Sequence, residues 1–512
     1  MLKKIITFLF AALTIQFANA QYATKSLDLK KLDAYFNKAI KDWNVPAMGV
    51  AIILNDSVIF AKGYGVTDIT TGEKANENTL FCVASNSKSF TAASIGTLVD
   101  DKKLKWDSKV TEFLPWFETY SPYVTEQFTV RDLLCHRSGL ETFSGDLIWY
   151  ATNHSREEVV KRSKYLSPVY GFRAHYGYSN IHYSAAGLVV QAVTGKTWEQ
   201  YVKENFLSPL GMNRTLTSTS QINSTTNVAQ PHNDVDGKLV KIPFVNWDNI
   251  APAGALISSV SDMSKWLRLQ MNQGIWGKDT LLSKSVINEM WSMQTPEAVR
   301  TENYKNMQLK HFDGYGLGWG VMDYKGYKVV SHSGGYDGMI SQTAFLPELK
   351  YGFVVLTNSN SYLPAAIFNQ LLDEYIYTEE KDWSSKYLDF FNKRKQADKD
   401  AKAKEESERN KNTRPTLTLQ DYVGTYGGTM YGDAEVYLDN GKLKVKFIPT
   451  PLFEGELTHW QYDVFSIKLT KVPSLPEGKV QFLLNEKGKV SQMKVDIPNP
   501  DFDFKELEFY KK

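Results

Sequence analysis

Cysteine is nearly absent. Cys82 and Cys135 are the only two in 512 residues, so the chain has no disulfide framework and must be held by buried apolar surface. Whether these two pair depends on a geometry that spacing does not supply. Histidine is sparse too: there are eight, with no HExxH or comparable ligand spacing, so no metal and no cofactor are implied. Excess charge of one sign is missing, with 59 Lys+Arg against 57 Asp+Glu, which argues against nucleic acid or an anionic membrane as the main partner. Long apolar runs are missing beyond the N-terminus, so no stable membrane span is expected.

What is present is a large apolar inventory, 42% hydrophobic and 13% aromatic, enough for two or three cores. The first twenty residues combine Lys3-Lys4, an apolar run from Ile5 to Ile15 and the small-x-small end Ala18-Asn19-Ala20. That pattern is an export signal, with cleavage expected after Ala20 and a periplasmic or secreted location. Its removal leaves 57 charges of each sign.

Periodicity divides the remainder. Leu29, Leu32, Phe36, Ile40 and Trp43 recur at helical spacing, and a hairpin of Met48–Leu54 and Val58–Gly63 follows. A mostly helical section comes next, with signals at Ser87–Val99, Tyr183–Val193, Trp198–Phe206 and Ser261–Met271. Strands return at Leu317–Asp323, Tyr327–Ser331, Ser341–Leu346 and Phe353–Thr357, joined by short turns that imply antiparallel pairing, and a helix from Leu363 to Tyr375 closes the unit. Thirteen of the nineteen residues from Lys393 to Lys411 are charged, so this stretch reads as a solvated helix or linker. Short alternating strands then run at Ala434–Leu438, Leu443–Phe447, Phe465–Leu469, Val480–Leu484, Val490–Val495 and Leu507–Tyr510. The expected fold class is α+β: an antiparallel sheet flanked by helices, with an all-helical insertion, followed by a small all-β antiparallel barrel. The expected domains are 1–20 (signal), 21–378 (sheet and helices), 379–414 (charged linker) and 415–512 (barrel).

Three short patterns carry chemistry. Ser85-Asn86-Ser87-Lys88 opens an apolar helix; a hydroxyl and an ammonium three apart share a helical face, the arrangement of an activated nucleophile. The same spacing recurs at Ser491 and Lys494 within a barrel strand, so it is weak alone. Tyr178-Ser179-Asn180 lies ahead of a helix and supplies a phenol and an amide. Tyr-x-Asn also occurs at Tyr35, on the first amphipathic helix, and at Tyr304; pattern alone discards Tyr35 and leaves the other two open. His332-Ser333-Gly334-Gly335 follows a strand, and its glycines admit a close substrate backbone. His136 and His232 read as structural histidines, and Cys135 beside His136 as part of a structural loop.

The order Ser-x-x-Lys, Tyr-Ser-Asn, His-Ser-Gly resembles the class C β-lactamase and penicillin-binding-protein-like serine hydrolases (peptidase family S12-like), across roughly Leu32 to Tyr375. Phe128–Leu140, Leu207–Met212 and Ala251–Leu267 resemble the same family. The last of these, with Val228–His232 and Phe172-Arg173, is similar to the subgroup with an appended lipocalin-like barrel (DUF3471-like). The family's layout favours Tyr178 over Tyr304. The resemblance implies Ser85 as the acylated nucleophile, Lys88 as its activating cation and Tyr178 as base and then acid, with its phenol lowered by the ammonium; the proton acceptor is assigned to the Lys88–Tyr178 pair. It further implies that Asn180 holds the substrate amide, that the amides of Ser85 and Gly335 form the oxyanion hole, and that His332, Ser333 and Gly334 line the substrate edge. Efficient class C enzymes have lysine where His332 stands and usually alanine where Ser179 stands. A histidine there would offer a carboxylate a weaker, pH-dependent partner. The implied function is hydrolysis of a small peptide, amide or ester through an acyl-serine, of D-amino-acid peptidase or esterase type. The alternatives are β-lactamase activity and a non-catalytic envelope protein on the same scaffold. Expected partners are a small-molecule or short-peptide substrate, and the barrel serves a homo-oligomer, a cover over the site or an apolar ligand.

Overall fold

A computed structural model describes residues 24–512 apart from 236, 300–309 and 377–380. The expected signal over 1–20 and Tyr304 lie outside the described residues.

Asp28 caps the first helix, α1 (Leu29–Asp42), by accepting from the Lys30 and Lys31 amides. Strands β1 (Ala47–Leu54) and β2 (Ser57–Gly65) form the expected hairpin, turning at Asn55 and Asp56 with φ of 49° and 64°, the left-handed pair that suits a two-residue hairpin. Helices α2 (Ser87–Asp100), α3 (Asn180–Thr194) and α4 (Val260–Met271) belong to the helical section. The sheet is completed by β3 (Thr295–Pro296), β4 (Asp313–Tyr315), β5 (Gly320–Tyr324), β6 (Tyr327–Tyr336), β7 (Met339–Leu346) and β8 (Tyr351–Thr357). All pairs are antiparallel, in the order β2-β1-β8-β7-β6-β5-β4-β3. A strand from the start of the chain thus pairs with one three hundred residues later, with the helical section inserted between them.

Alternation decides what covers each face. Met48, Val50 and Ile52 of β1 pack with Leu32, Phe36 and Ile40 of α1 and with α5 (Leu363–Tyr375), while Ala47, Ala51 and Ile53 face the helical section. On that second face Trp266 of α4 stacks on Phe90 of α2 at 3.8 Å and donates to Ser89 Oγ at 3.0 Å. Cys82 and Cys135 are both buried and both free, so no disulfide ties these layers.

Two of the sequence-based boundaries that shift bear on the site. The strand expected to stop at Ser331 runs on to Tyr336, because residues 332–336 keep their pairing with β7 although two are glycine. Helix α3 starts at Asn180 rather than Tyr183, because Ser179 caps it by accepting from the His182 amide. Most of the charged stretch, up to Glu408, lies in a 26-residue helix, α6 (Trp383–Glu408), buried only at Trp383, Ser384 and Tyr387, and Arg409, Asn410 and Lys411 follow its end.

The C-terminal strands close an eight-stranded barrel: β9 (Gly424–Gly428), β10 (Gly432–Asp439), β11 (Lys442–Phe447), β12 (Glu454–Gln461), β13 (Val464–Ile467), β14 (Gly478–Leu484), β15 (Val490–Asp496) and β16 (Phe509–Lys511). Tyr426, Val436, Val445, Phe465, Val480, Met493 and Phe509 fill it. It sits directly on the helical section. Phe502 packs on Trp149 and Tyr150, the Asn153 amide donates to the Pro449 carbonyl at 2.8 Å, and Ser474 donates to Asp337 at 2.7 Å.

Trp266→Ala removes the aromatic wedge between α2 and α4 and should cost about 3–5 kcal/mol. Chemical denaturation checks this; a loss under about 1 kcal/mol would contradict the packing described.

Candidate active site

Ser85 stands at a forced bend. The short strand Phe81–Cys82 runs into a 3-10 turn, Ala84–Asn86, and then into α2. Ala84 takes a left-handed φ of 47°, a conformation costing an L-residue roughly 1–2 kcal/mol, and it holds because neighbouring bonds determine it. Ser87 Oγ donates to the Ala84 carbonyl at 2.7 Å. Asn86 donates to Ser341 Oγ at 2.8 Å and accepts from Thr343 Oγ1 at 2.5 Å, fixing the turn to β7. Ser85 is half-buried while Lys88, one turn on, is buried.

Lys88 Nζ donates to Ser85 Oγ at 3.0 Å, to Asn180 Oδ1 at 2.7 Å and to the Ala253 carbonyl at 2.9 Å. Three acceptors saturate an ammonium. Burial nonetheless pulls this lysine down to about 7 from the ordinary lysine range, against the opposing pull of Asp146. An amine able to take a proton at neutral pH therefore lies within hydrogen-bond reach of the serine.

Tyr178 lies beside Ser85, and its ring lies 4.7 Å from Lys88 Nζ and 4.1 Å from the His136 ring. The expectation that the ammonium lowers this phenol is corrected. Burial pushes it above its ordinary value, and the neighbouring Ser85 hydroxyl offsets only part of the rise. Tyr178 is a neutral hydroxyl here. His136 accepts from the Ser179 amide at Nδ1 (3.1 Å) and burial holds it neutral, so it is a structural support for the tyrosine.

Asn180 uses both ends of its amide: Oδ1 accepts from Lys88 and Nδ2 donates to Asp146 Oδ2 at 2.6 Å. In this structure it faces the lysine, where the resemblance had it face the substrate. His332 donates or accepts at Nε2 with Tyr315 Oη (2.7 Å). Burial first, and the Lys88 charge second, bring it down to about 3. The expected pH-dependent cation at this position is thereby corrected: it is a neutral imidazole throughout the physiological range. Ser333 and Gly335 are exposed on the edge of β6, and β5 ends opposite Ser331, so the stretch past Ser331 has one edge free for an extended substrate. Gly334 is dictated by contact, since a Cβ there would fall 2.3 Å from the Val83 carbonyl and 2.9 Å from the Ser85 amide.

The remaining candidates fall away from this cluster. Lys494 projects outward from β15 while Ser491 bonds to the Leu483 carbonyl, so their strand offset puts them on opposite faces. Tyr35 bonds to Asp382. His232 bonds to the Asn358 carbonyl. Asp146, Ala253 and Tyr315 were missed from sequence. Ala253 lies in a segment already similar to the family, but nothing in the pattern around Asp146 marks it.

The β-lactamase family description matches residues 32–374, and a domain of unknown function, DUF3471, matches 408–511. The chain belongs to the β-lactamase family. This β-lactamase-family serine hydrolase is 29% identical over 452 residues to unguisins hydrolase ungD of Aspergillus violaceofuscus, covering 81% of this chain and 79% of that one. It is 27% identical over 380 residues to protein flp of Staphylococcus aureus, covering 71% and 70%. Among solved structures, the octameric penicillin-binding protein homologue from Pyrococcus abyssi aligns with a TM-score of 0.62 at 22% identity, covering 95% of this chain and all of that one. The D-stereospecific amidohydrolase from Streptomyces aligns with a TM-score of 0.53 at 21% identity, covering 65% and 94%. Both structures show the shared fold. No helix among the described residues is long and apolar enough to cross a membrane.

If the neutral lysine is the reactive form, kcat/KM on an ester should fall below pH about 7 as Lys88 gains its proton, and rise to a plateau above it. His332→Gln should lower the plateau without moving the midpoint, since His332 carries no proton to lose in that range. Rate measurements across pH 5–9 check both; a midpoint that moves with His332→Gln would contradict the assignment.

Proposed function

We propose that this chain is an exported hydrolase that cleaves a small peptide, amide or ester, with a D-residue at the cleavage point, through an acyl intermediate on Ser85. The observation that carries the reading is the bond from buried Lys88 to Ser85 Oγ at 3.0 Å, completed by Asn180 and the Ala253 carbonyl. Ser85 Oγ attacks the carbonyl carbon while its proton passes to Lys88 Nζ. The carbonyl oxygen gathers negative charge against the amides of Ser85 and Gly335, where one lost donor typically costs about 3 kcal/mol of barrier. The tetrahedral adduct collapses, the bond to the leaving group breaks, and Tyr178 relays the lysine's proton to that group. Water then repeats the sequence on the acyl-serine: it loses a proton to the same pair, attacks, and releases the acid and the free hydroxyl. His332, Ser333 and Gly334 line the edge along which the substrate extends.

The neutral His332 supports this reading over β-lactam hydrolysis, because a β-lactam's carboxylate finds no imidazolium there. The names of relatives point the same way, with hydrolase in one and D-stereospecific amidohydrolase in another. Export rests on the pattern of the first twenty residues. Assembly of copies through the barrel is also part of the reading, and light scattering of the full chain measures it, with a mass above that of one chain expected.

Ser85→Ala should abolish labelling by a fluorophosphonate probe and reduce hydrolysis by several orders of magnitude. Labelling of the variant at the wild-type rate would refute the nucleophile. With the wild type, turnover of a D-amino-acid dipeptide or short ester is expected to exceed that of a chromogenic cephalosporin; the reverse order would overturn the substrate class.

A further inference from the structure

We propose that Glu506, carried by the C-terminal barrel, is a positioning residue for the active site: it grips the Ser144–Gly145 turn and acts through Asp146 on the contact of Lys88 with Asn180 and Ser85. The inference deepens the reading of Lys88 as the base for Ser85 and rests on it.

The line of contacts is continuous. Glu506 Oε1 accepts from Ser144 Oγ, and its Oε2 accepts from the Gly145 amide at 2.7 Å. Gly145 adopts a φ of 77°, a left-handed bend open to glycine, and the next residue begins the short turn Asp146–Ile148. Asp146 Oδ2 accepts from Asn180 Nδ2 at 2.6 Å, and its Oδ1 from Trp149 Nε1 at 2.8 Å. Asn180 Oδ1 in turn accepts from Lys88 Nζ. Phe502, four residues before Glu506, packs on Trp149 and Tyr150, so the same barrel segment clamps both ends of the turn. Four of the five side chains in this line are more than nine-tenths buried: Ser144, Asp146, Asn180 and Lys88.

The charges facing the line come from every element around it. Asp503 lies beside Glu506; Lys88 and Glu506 lie on either side of Asp146; His136 and His332, both neutral, and the Tyr178 and Tyr183 rings lie beside Lys88. Burial pushes Asp146 up to about 8, and the Glu506 charge adds to that rise. An ionised Asp146 would favour the Lys88 ammonium, so Glu506, by discouraging ionisation of Asp146, favours the free amine that accepts the serine proton. The sign for each variant follows. Without the Glu506 charge, Asp146 ionises more readily and Lys88 keeps its proton to higher pH. Without the Asp146 charge, Lys88 gives it up at lower pH.

The test is the rate of fluorophosphonate labelling of the full-length chain from pH 5.5 to 9. Glu506→Gln keeps the size of the side chain and should move the midpoint up by about half a pH unit, roughly threefold in rate at the wild-type midpoint. Asp146→Asn should move it down, and the double variant should match Asp146→Asn alone, because Glu506 acts through Asp146. Ser144→Ala loosens the grip on Glu506 and should shift the midpoint in the same direction as Glu506→Gln but less, a readout available even where Glu506→Gln fails to fold. A midpoint unmoved in the Glu506 and Ser144 variants, or shifts that simply add in the double variant, would overturn the proposal. Failure of the underlying reading is distinguishable: it shows as persistent labelling in Ser85→Ala.

Discussion

The whole site depends on one buried amine. Lys88 reaches three acceptors from three distant parts of the chain: a hydroxyl at the head of its own helix, a side-chain amide at the start of α3 and a backbone carbonyl at Ala253. A charged lysine in that position is costly unless every proton is bonded, and the bonds provided just saturate it. The balance between desolvation, which favours the amine, and those acceptors together with Asp146, which favour the ammonium, brings the group down to about 7. Removing any partner would change that balance, so much of the surrounding structure serves to hold these few atoms in place.

Sheet and helices supply that rigidity in different ways. The sheet gives a long strand, β6, whose stretch past Ser331 has one edge free and passes close to the Ser85 amide, an approach permitted only by the missing side chain at Gly334. The helical section gives α3, whose first residue is Asn180, and the aromatic bed on which Tyr178 rests between His136 and Phe143. These elements are tied to each other through Asn86, Ser341 and Thr343, a small polar network inside an apolar core, where satisfied hydrogen bonds specify geometry more than they add stability. The barrel then closes over the turn at 143–150, whose Asp146 touches the Lys88–Asn180 pair through Asn180.

Much of this was legible in the residue pattern. Dense apolar runs marked the first strand of the hairpin, α2, α4 and α5 within a few residues, because these elements are buried over most of their length. The strand Glu454–Gln461 was missed because its outward positions are charged and its apolar ones few, and Gly424–Gly428 because three of its five residues are glycine; both are held in the barrel by their neighbours rather than by their own propensity. The same tertiary override carried β6 through Gly334 and Gly335. Ser85, Lys88, Tyr178 and His332 were readable from short motifs and do converge. Their protonation was not readable: a neighbouring ammonium would lower the phenol, whereas burial, which no spacing reveals, raises it and lowers the lysine instead. Asp146 was invisible for a related reason, since its role comes from a contact between residues 34 apart in sequence.

The central claim is that Lys88 exchanges its proton near neutrality, and the direct measurement is its own titration. With 13C at lysine Cε and the Lys88 signal assigned by its loss in Lys88→Arg, the chemical shift should titrate with a midpoint near pH 7. A midpoint at 10 or above, the range of a solvated lysine, would contradict the account.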